Sequence, residues 1–231
     1  MEDGLLTTIL AAAIFAVIMY FFRLLMNRMK GKVGEKVVAR MLGRLPGDKY
    51  IVLDDVTVPT PRGSNQIDHL IISIFGIFVL ETKNYTGWIY GNESSEYWTQ
   101  NIYGNKNQLY NPIFQNAGHV RALKRVLTDF EPLPYISIVA FSEKADLKVT
   151  AKQSHVIYWG QIADVIGSYD CERLSWEQVL AIRDCIESNR LEPGRETNRE
   201  HIRNVRKVKE QKWHSLSITP LSPTCCRESA R

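Results

Sequence analysis

Gln66-Ile67-Asp68-His69-Leu70-Ile71-Ile72-Ser73-Ile74-Phe75-Gly76-Ile77-Phe78-Val79-Leu80-Glu81-Thr82-Lys83-Asn84 is the stretch that decides how this chain folds. Gln66–Ser73 and Gly76–Lys83 are rich in β-branched and aromatic residues and are separated only by Ile74 and Phe75, which predicts an antiparallel hairpin. Strand side chains alternate, so Glu81 and Lys83 leave the same face. A charged pair at the end of the apolar run Ile77-Phe78-Val79-Leu80 is costly unless it is partnered or functional. Asp68, on the neighbouring strand, is placed to lie across from Glu81. Two close carboxylates repel, and a shared proton or a divalent cation relieves them. Mg²⁺ accepts carboxylate, carbonyl and water oxygens, and can activate a bound water and stabilise charge on a phosphate. The same spacing also fits a plain salt bridge of Lys83 with Glu81 or Asp68.

Upstream, Tyr50–Val58 reads as a strand and Pro59-Thr60-Pro61-Arg62-Gly63-Ser64-Asn65 as a turn-rich loop. Lys32–Leu45 has Val33, Val37, Val38, Met41, Leu42 and Leu45 at helical spacing, and Pro46-Gly47 stops it. Downstream, Trp88–Tyr90 starts a short strand, and the Asn-, Gly-, Tyr- and Gln-rich residues 91–110 read as an irregular polar excursion. Asn111-Pro112 predicts a helix start, with Asn as the cap and Pro in the first turn, running to about Phe130. Tyr135–Phe141 and His155–Trp159 read as strands, and Gln161–Gly167 as a short helix. Ser175–Ser188 reads as a helix with a Ser175/Gln178 capping box. This mixture of hairpin and crossover predicts an α/β fold around a mixed sheet flanked by helices.

The N-terminus is of another kind. Gly4–Phe22 carries no charge, and Leu24, Leu25 and Met26 continue the run past Arg23. That length suits one transmembrane helix over residues 4–26. Glu2 and Asp3 precede it, whereas Arg23, Arg28, Lys30, Lys32 and Lys36 follow, which predicts N-out insertion in the cell membrane with the globular part in the cytoplasm. The net charge of +4 is unevenly spread: residues 23–49 hold 8 basic and 2 acidic side chains, and residues 190–231 hold 10 and 5. The middle is therefore mildly acidic, which argues against a constitutive DNA-coating protein and suits a site that needs cations. The basic flanks suit anionic lipid. Cys171, Cys185, Cys225 and Cys226 lack zinc spacing and read as free thiols. The expected units are an anchor with its basic flank over 1–30, a domain over 31–145, an α/β extension over 146–189, and a basic disordered tail over 190–231.

Gly34-Glu35, Gln66-Ile67-Asp68-His69, the run Gly76 to Gly87, Trp98 and Asn111-Pro112-Ile113-Phe114-Gln115 together resemble the nuclease-related domain, NERD, across roughly residues 31–145. The resemblance implies the PD-(D/E)xK nuclease fold, with Asp68 as its acidic motif and Glu81 and Lys83 as its ExK motif. Glu35 then corresponds to the first-helix glutamate and Gln115 to the second-helix glutamine. It implies a nuclease acting on nucleic acid, DNA in the first place, with Asp68, Glu81, Glu35 and the carbonyl of Thr82 holding Mg²⁺ or Mn²⁺. Lys83 positions the attacking water, and Gln115 orients that water or a phosphate. The alternative is a catalytically silent, membrane-tethered module that binds nucleic acid or protein on the same fold. His69 is expected to be packed or exposed, and His119 solvated. Trp88, Trp98 and the tyrosines of 85–110 suit either a core edge or stacking on bases.

Overall fold

A computed structural model of the chain describes residues 2–61 and 63–191. The apolar N-terminal run and the amphipathic segment after it form one helix, α1 (Glu2–Leu42), with no break between them. The sequence reading separates these two parts because their apolar patterns differ, yet no Pro, and no glycine with an open turn, interrupts the backbone bonds. Its described part from Ala12 is long and apolar enough to cross a membrane, and that apolar window is wholly exposed. Among the described residues, the buried apolar side chains of α1 are Val38 and Leu42, near its C-terminal end.

Next come β1 (Tyr50–Thr60), β2 (Gly63–Ser73) and β3 (Gly76–Lys83). The loop expected over Pro59–Asn65 is instead a tight turn, because Pro59 and Thr60 still pair with Ser64 and Gly63. The β2–β3 hairpin pairs His69 with Leu80 through to Ser73 with Gly76. After a second sheet and α2 (Pro112–Val126), β7 (Tyr135–Phe141) runs parallel to β3, and β9 (His155–Tyr158) runs parallel to β7. The main sheet thus has the order β1-β2-β3-β7-β9 and is mixed, as expected. Helix α2 stops at Val126, and Thr128–Phe130 is a separate 3₁₀ turn. One face of the sheet packs under α2 and α4 (Trp176–Asn189), burying Leu70, Ile72, Val79, Leu123, Val179 and Ile182. The other packs under α1 and α3 (Ile162–Gly167), burying Ile71, Phe78, Leu80, Val38 and Trp159.

Residues 91–110 correct the expectation of an irregular excursion. They contain the end of β4 (Gly87–Asn92) and the hairpin of β5 (Tyr97–Ile102) with β6 (Asn105–Tyr110). With β8 (Ala145–Thr150), which the sequence reading omits, they make a second sheet of order β6-β5-β4-β8. Its inner face carries Ile89, Trp98 and Ala145 onto Val139, Phe141 and Ile113. The strands read as irregular because their other face is left to solvent and their inner face is sparsely apolar. Of the basic tail, residues 192–231 lie outside the described part, as do Cys225 and Cys226. Cys171 and Cys185 are free.

Candidate functional site

The site forms where β2 and β3 part company. Their paired register ends at His69 and Leu80, and one step further places Asp68 across from Glu81. Thr82 fixes Asp68 there: its backbone N–H and its hydroxyl both donate to Asp68 Oδ2, at 2.8 and 3.0 Å. Glu81 is buried, and Lys83, on the same face, is mostly covered. Lys83 Nζ donates to Glu81 Oε1 at 2.5 Å and to Gln115 Oε1 at 3.0 Å, while Gln115 Nε2 donates to Glu81 Oε1 at 2.7 Å. The three side chains form a closed triangle.

Helix α2 supplies more of this site than its sequence suggests. The Asn111 side chain caps it, accepting from Ile113 N at 2.9 Å and donating to the Ser95 carbonyl at 2.7 Å, so the helix start is tied to the second sheet. One turn after Gln115, His119 is buried and donates from Nε2 to Glu81 Oε2 at 2.9 Å, with Nδ1 2.7 Å from Asn65 Oδ1. This corrects the expectation of a solvated His119. Its position four residues after Gln115, on the same helix face, was the available signal. Asn116, also unforeseen, donates to the carbonyls of Val79 and Ile138 and to Ser137 Oγ, clamping α2 onto β3 and β7. His69 faces the other way, as expected: it is buried, with Nδ1 2.6 Å from Asp54 Oδ1.

Glu35 comes from α1. A Cβ on the preceding Gly34 would lie 3.0 Å from the Trp159 ring and 3.2 Å from Asn84 Cβ, so glycine lets the helix settle against them. Glu35, Asp68, Glu81 and Lys83 line one cavity of about 1260 Å³, which Ala16, Tyr20 and Met26 of the apolar part of α1, the loop residue Thr86, and Gln100 and Asn107 of the second sheet also wall. No hydrogen bond among the described residues joins Glu35 to Asp68 or Glu81.

The charges sort themselves by environment. Burial and then the Glu81 charge push the Asp68 carboxyl above the usual carboxylate range, despite the Thr82 hydrogen bonds. Burial and then Asp68 likewise raise Glu35. Burial alone would raise Glu81 too, but Lys83 and His119 overcome it and hold Glu81 at about 2. Burial would lower Lys83, yet Glu81 outweighs it and keeps the ammonium charged well above neutral pH. Lys83 is therefore a fixed cation and not a base. Among the described residues, no three His, Cys, Asp or Glu side chains are grouped closely enough to hold a metal ion by themselves. The donor set nonetheless fits a hard cation in kind. The hydrogen bonds from Thr82 to Asp68 both fall on Oδ2, and the repulsion of Asp68 by Glu81 and of Glu35 by Asp68 is of the kind that a divalent ion relieves.

The family model described as the nuclease-related domain matches residues 30–142. An uncharacterized protein of Bacillus anthracis is 44% identical over 161 residues, which covers 68% of this chain and 75% of that protein. No solved structure matches the chain.

Proposed function

Because the chain belongs to the nuclease-related domain family, we propose that it is a membrane-anchored, Mg²⁺- or Mn²⁺-dependent nuclease that hydrolyses phosphodiester bonds of nucleic acid, DNA in the first place, with its catalytic domain in the cytoplasm. One observation carries this reading: Asp68, Glu81 and Lys83 line one open cavity, and Gln115 ties Glu81 to Lys83 by a hydrogen bond to each. In this reading Asp68 and Glu81, with Glu35 and the carbonyl of Thr82, hold the cation. When bound, the cation supplies an activated water and charge stabilisation at the phosphate. Lys83 brings a permanent positive charge against the phosphate and orients the water through its ammonium protons. Gln115 accepts from Lys83 and donates to Glu81, so it fixes the direction in which both point. Thr82 holds Asp68 in place through Oδ2. The apolar helix and the basic residues after it support the anchored topology.

The test is cleavage of DNA and RNA by the full chain in detergent micelles, with Mg²⁺, with Mn²⁺ and with chelator. Metal-dependent cleavage that Lys83→Ala abolishes is expected. Intact substrates under every condition, with a thermal melt indifferent to both metals, would sink the proposal. A silent binding module on the same fold is the second reading, favoured by the protein partners already present on both oxygens of Glu81. It requires a metal-indifferent melt together with retained binding of nucleic acid or protein.

A further inference from the structure

We propose that the outer face of the β6-β5-β4-β8 sheet is a base-stacking platform for a single-stranded stretch of nucleic acid; this rests on the reading of the substrate as nucleic acid. The sheet has two unlike faces. Inward go Ile89, Trp98, Leu109, Leu147 and Val149, which build the core between the two sheets. Outward go Trp88, Tyr90, Tyr97 and Tyr110, exposed by 50%, 41%, 46% and 50%. Register puts them on one surface: Tyr97 pairs with Tyr110, Trp88 with Asn101, and Tyr90 with Thr99. Trp88 and Tyr90 stand edge to face with centroids 6.4 Å apart, and Tyr97 and Tyr110 do so at 6.0 Å. An outward sheet face ordinarily carries small or charged polar groups, so large exposed rings grouped this way mark a binding surface.

The chemistry around the rings selects the occupant. Lysines stand on both edge strands, Lys106 beside Asn101 and Lys148 beside Tyr90. Lys148 is ion-paired with Asp146 at 3.0 Å, but the pair is half exposed and weakly held, so a phosphate can replace the carboxylate. Between the rings lie the hydrogen-bonding side chains Thr99, Asn101 and Gln108. The aliphatic side chains of these strands turn inward, so the outer face offers rings, amides and cations. Rings flanked by cations and amides suit nucleobases and a phosphate backbone. Bases in a duplex already stack on each other, so open ring faces favour the single strand. The platform also adjoins the cavity: Thr86, two residues before Trp88, and Ile102, next after Asn101, both line it. Gln100, Ile102 and Asn107, which line the cavity, alternate with the outward Thr99, Asn101 and Lys106, so the cavity lies on the other face of the sheet.

The test uses the full chain in detergent micelles with chelator, so that nothing is cut, and a fluorescein-labelled oligothymidylate read by anisotropy and tryptophan emission. The pair Trp88→Ala and Tyr90→Ala should weaken binding roughly tenfold or more. The pair Trp88→Phe and Tyr90→Phe should bind close to wild type but lose most of the quenching seen on binding. Thermal melts of both pairs confirm that the fold is kept. No binding by wild type, unchanged affinity in the alanine pair, or Trp88 emission that responds to anionic vesicles but not to the oligonucleotide would each overturn the platform. Cleavage assays separate the two proposals. Stacking without metal-dependent cleavage refutes the nuclease and keeps the platform, and cleavage with unaltered binding in the alanine pair does the reverse.

Discussion

Glu81 and Asp68 are the same chemical group one strand apart, and their surroundings divide them. Glu81 is buried among Lys83, Gln115 and His119, whereas among the described residues Asp68 takes its hydrogen bonds from Thr82. Glu81→Gln in the metal-free protein leaves the covered Lys83 ammonium without its counter-charge, at a cost of about 3 kcal/mol. That is a fall in Tm of roughly 6–12 °C for a domain of this size. Asp68→Asn removes a repelled charge and keeps an acceptor for Thr82, so the Tm at neutral pH should hold or rise. A calorimetric melt in chelator checks both, and a large fall for Asp68→Asn would show that its charge is paired. Acidity separates the two residues as well. Glu81 has a folded value of about 2 against the ordinary 4.5, so its contribution is present above 4.5 and disappears as pH falls towards 2. Asp68 is raised, so its contribution runs the other way: it is present at low pH and lost as pH climbs through its folded value. Acid titration of stability should therefore be steeper between pH 4.5 and 2 in wild type than in Glu81→Gln.

Among the elements, α2 joins the two sheets to the chemistry. From its first two turns Gln115 and His119 both reach Glu81 and Asn116 reaches the Val79 carbonyl, and Asn111 sets where those turns begin. Asn111→Ala removes the side-chain donor to the carbonyls of Glu93 and Ser95 and leaves the helix without its cap, whereas the Asn92 carbonyl keeps the Trp98 indole. The expected loss is about 2 kcal/mol. Cleavage, where present, should fall with it as Gln115 loses register against Lys83. An alanine variant that melts like wild type would show the cap to be dispensable. In β4, a Cβ at Gly91 would sit 2.4 Å from Trp98 Cγ, so Gly91 is the notch that lets Trp98 lie flat on Phe141. Gly91→Ala should lower the stability by crowding alone, by about 1–3 kcal/mol in a thermal melt, without altering any response to metal.

At the scale of the whole molecule, α1 is both the candidate membrane span and part of the site. Glu35 follows Met26 by nine residues of unbroken helix, about 14 Å along the axis. On the anchored reading no linker intervenes, so the cavity works close to the bilayer surface. A reporter fused after Arg231 should then be active only as a cytoplasmic reporter, and strong activity of an extracytoplasmic reporter there would refute the orientation.

Several features were legible because local physics decides them. The apolar runs placed β3 and β7 at their observed bounds, period-two alternation put Glu81 and Lys83 on one face, and the side chains of Asn111 and Ser175 marked helix starts. β8 was legible but unread, since Ala145, Leu147 and Val149 alternate with Asp146, Lys148 and Thr150. Other features depended on partners far along the chain. Polar β5 and β6 become strands only because each completes the other's backbone hydrogen bonds and Trp98 finds Phe141. His119 is buried only because β2 and β3 bring Asn65 and Glu81 to its two nitrogens. Spacing could bring the carboxylates and the lysine to one place. Which carboxylate holds its charge depends on burial and on the groups across the fold, and that the tertiary structure alone decided.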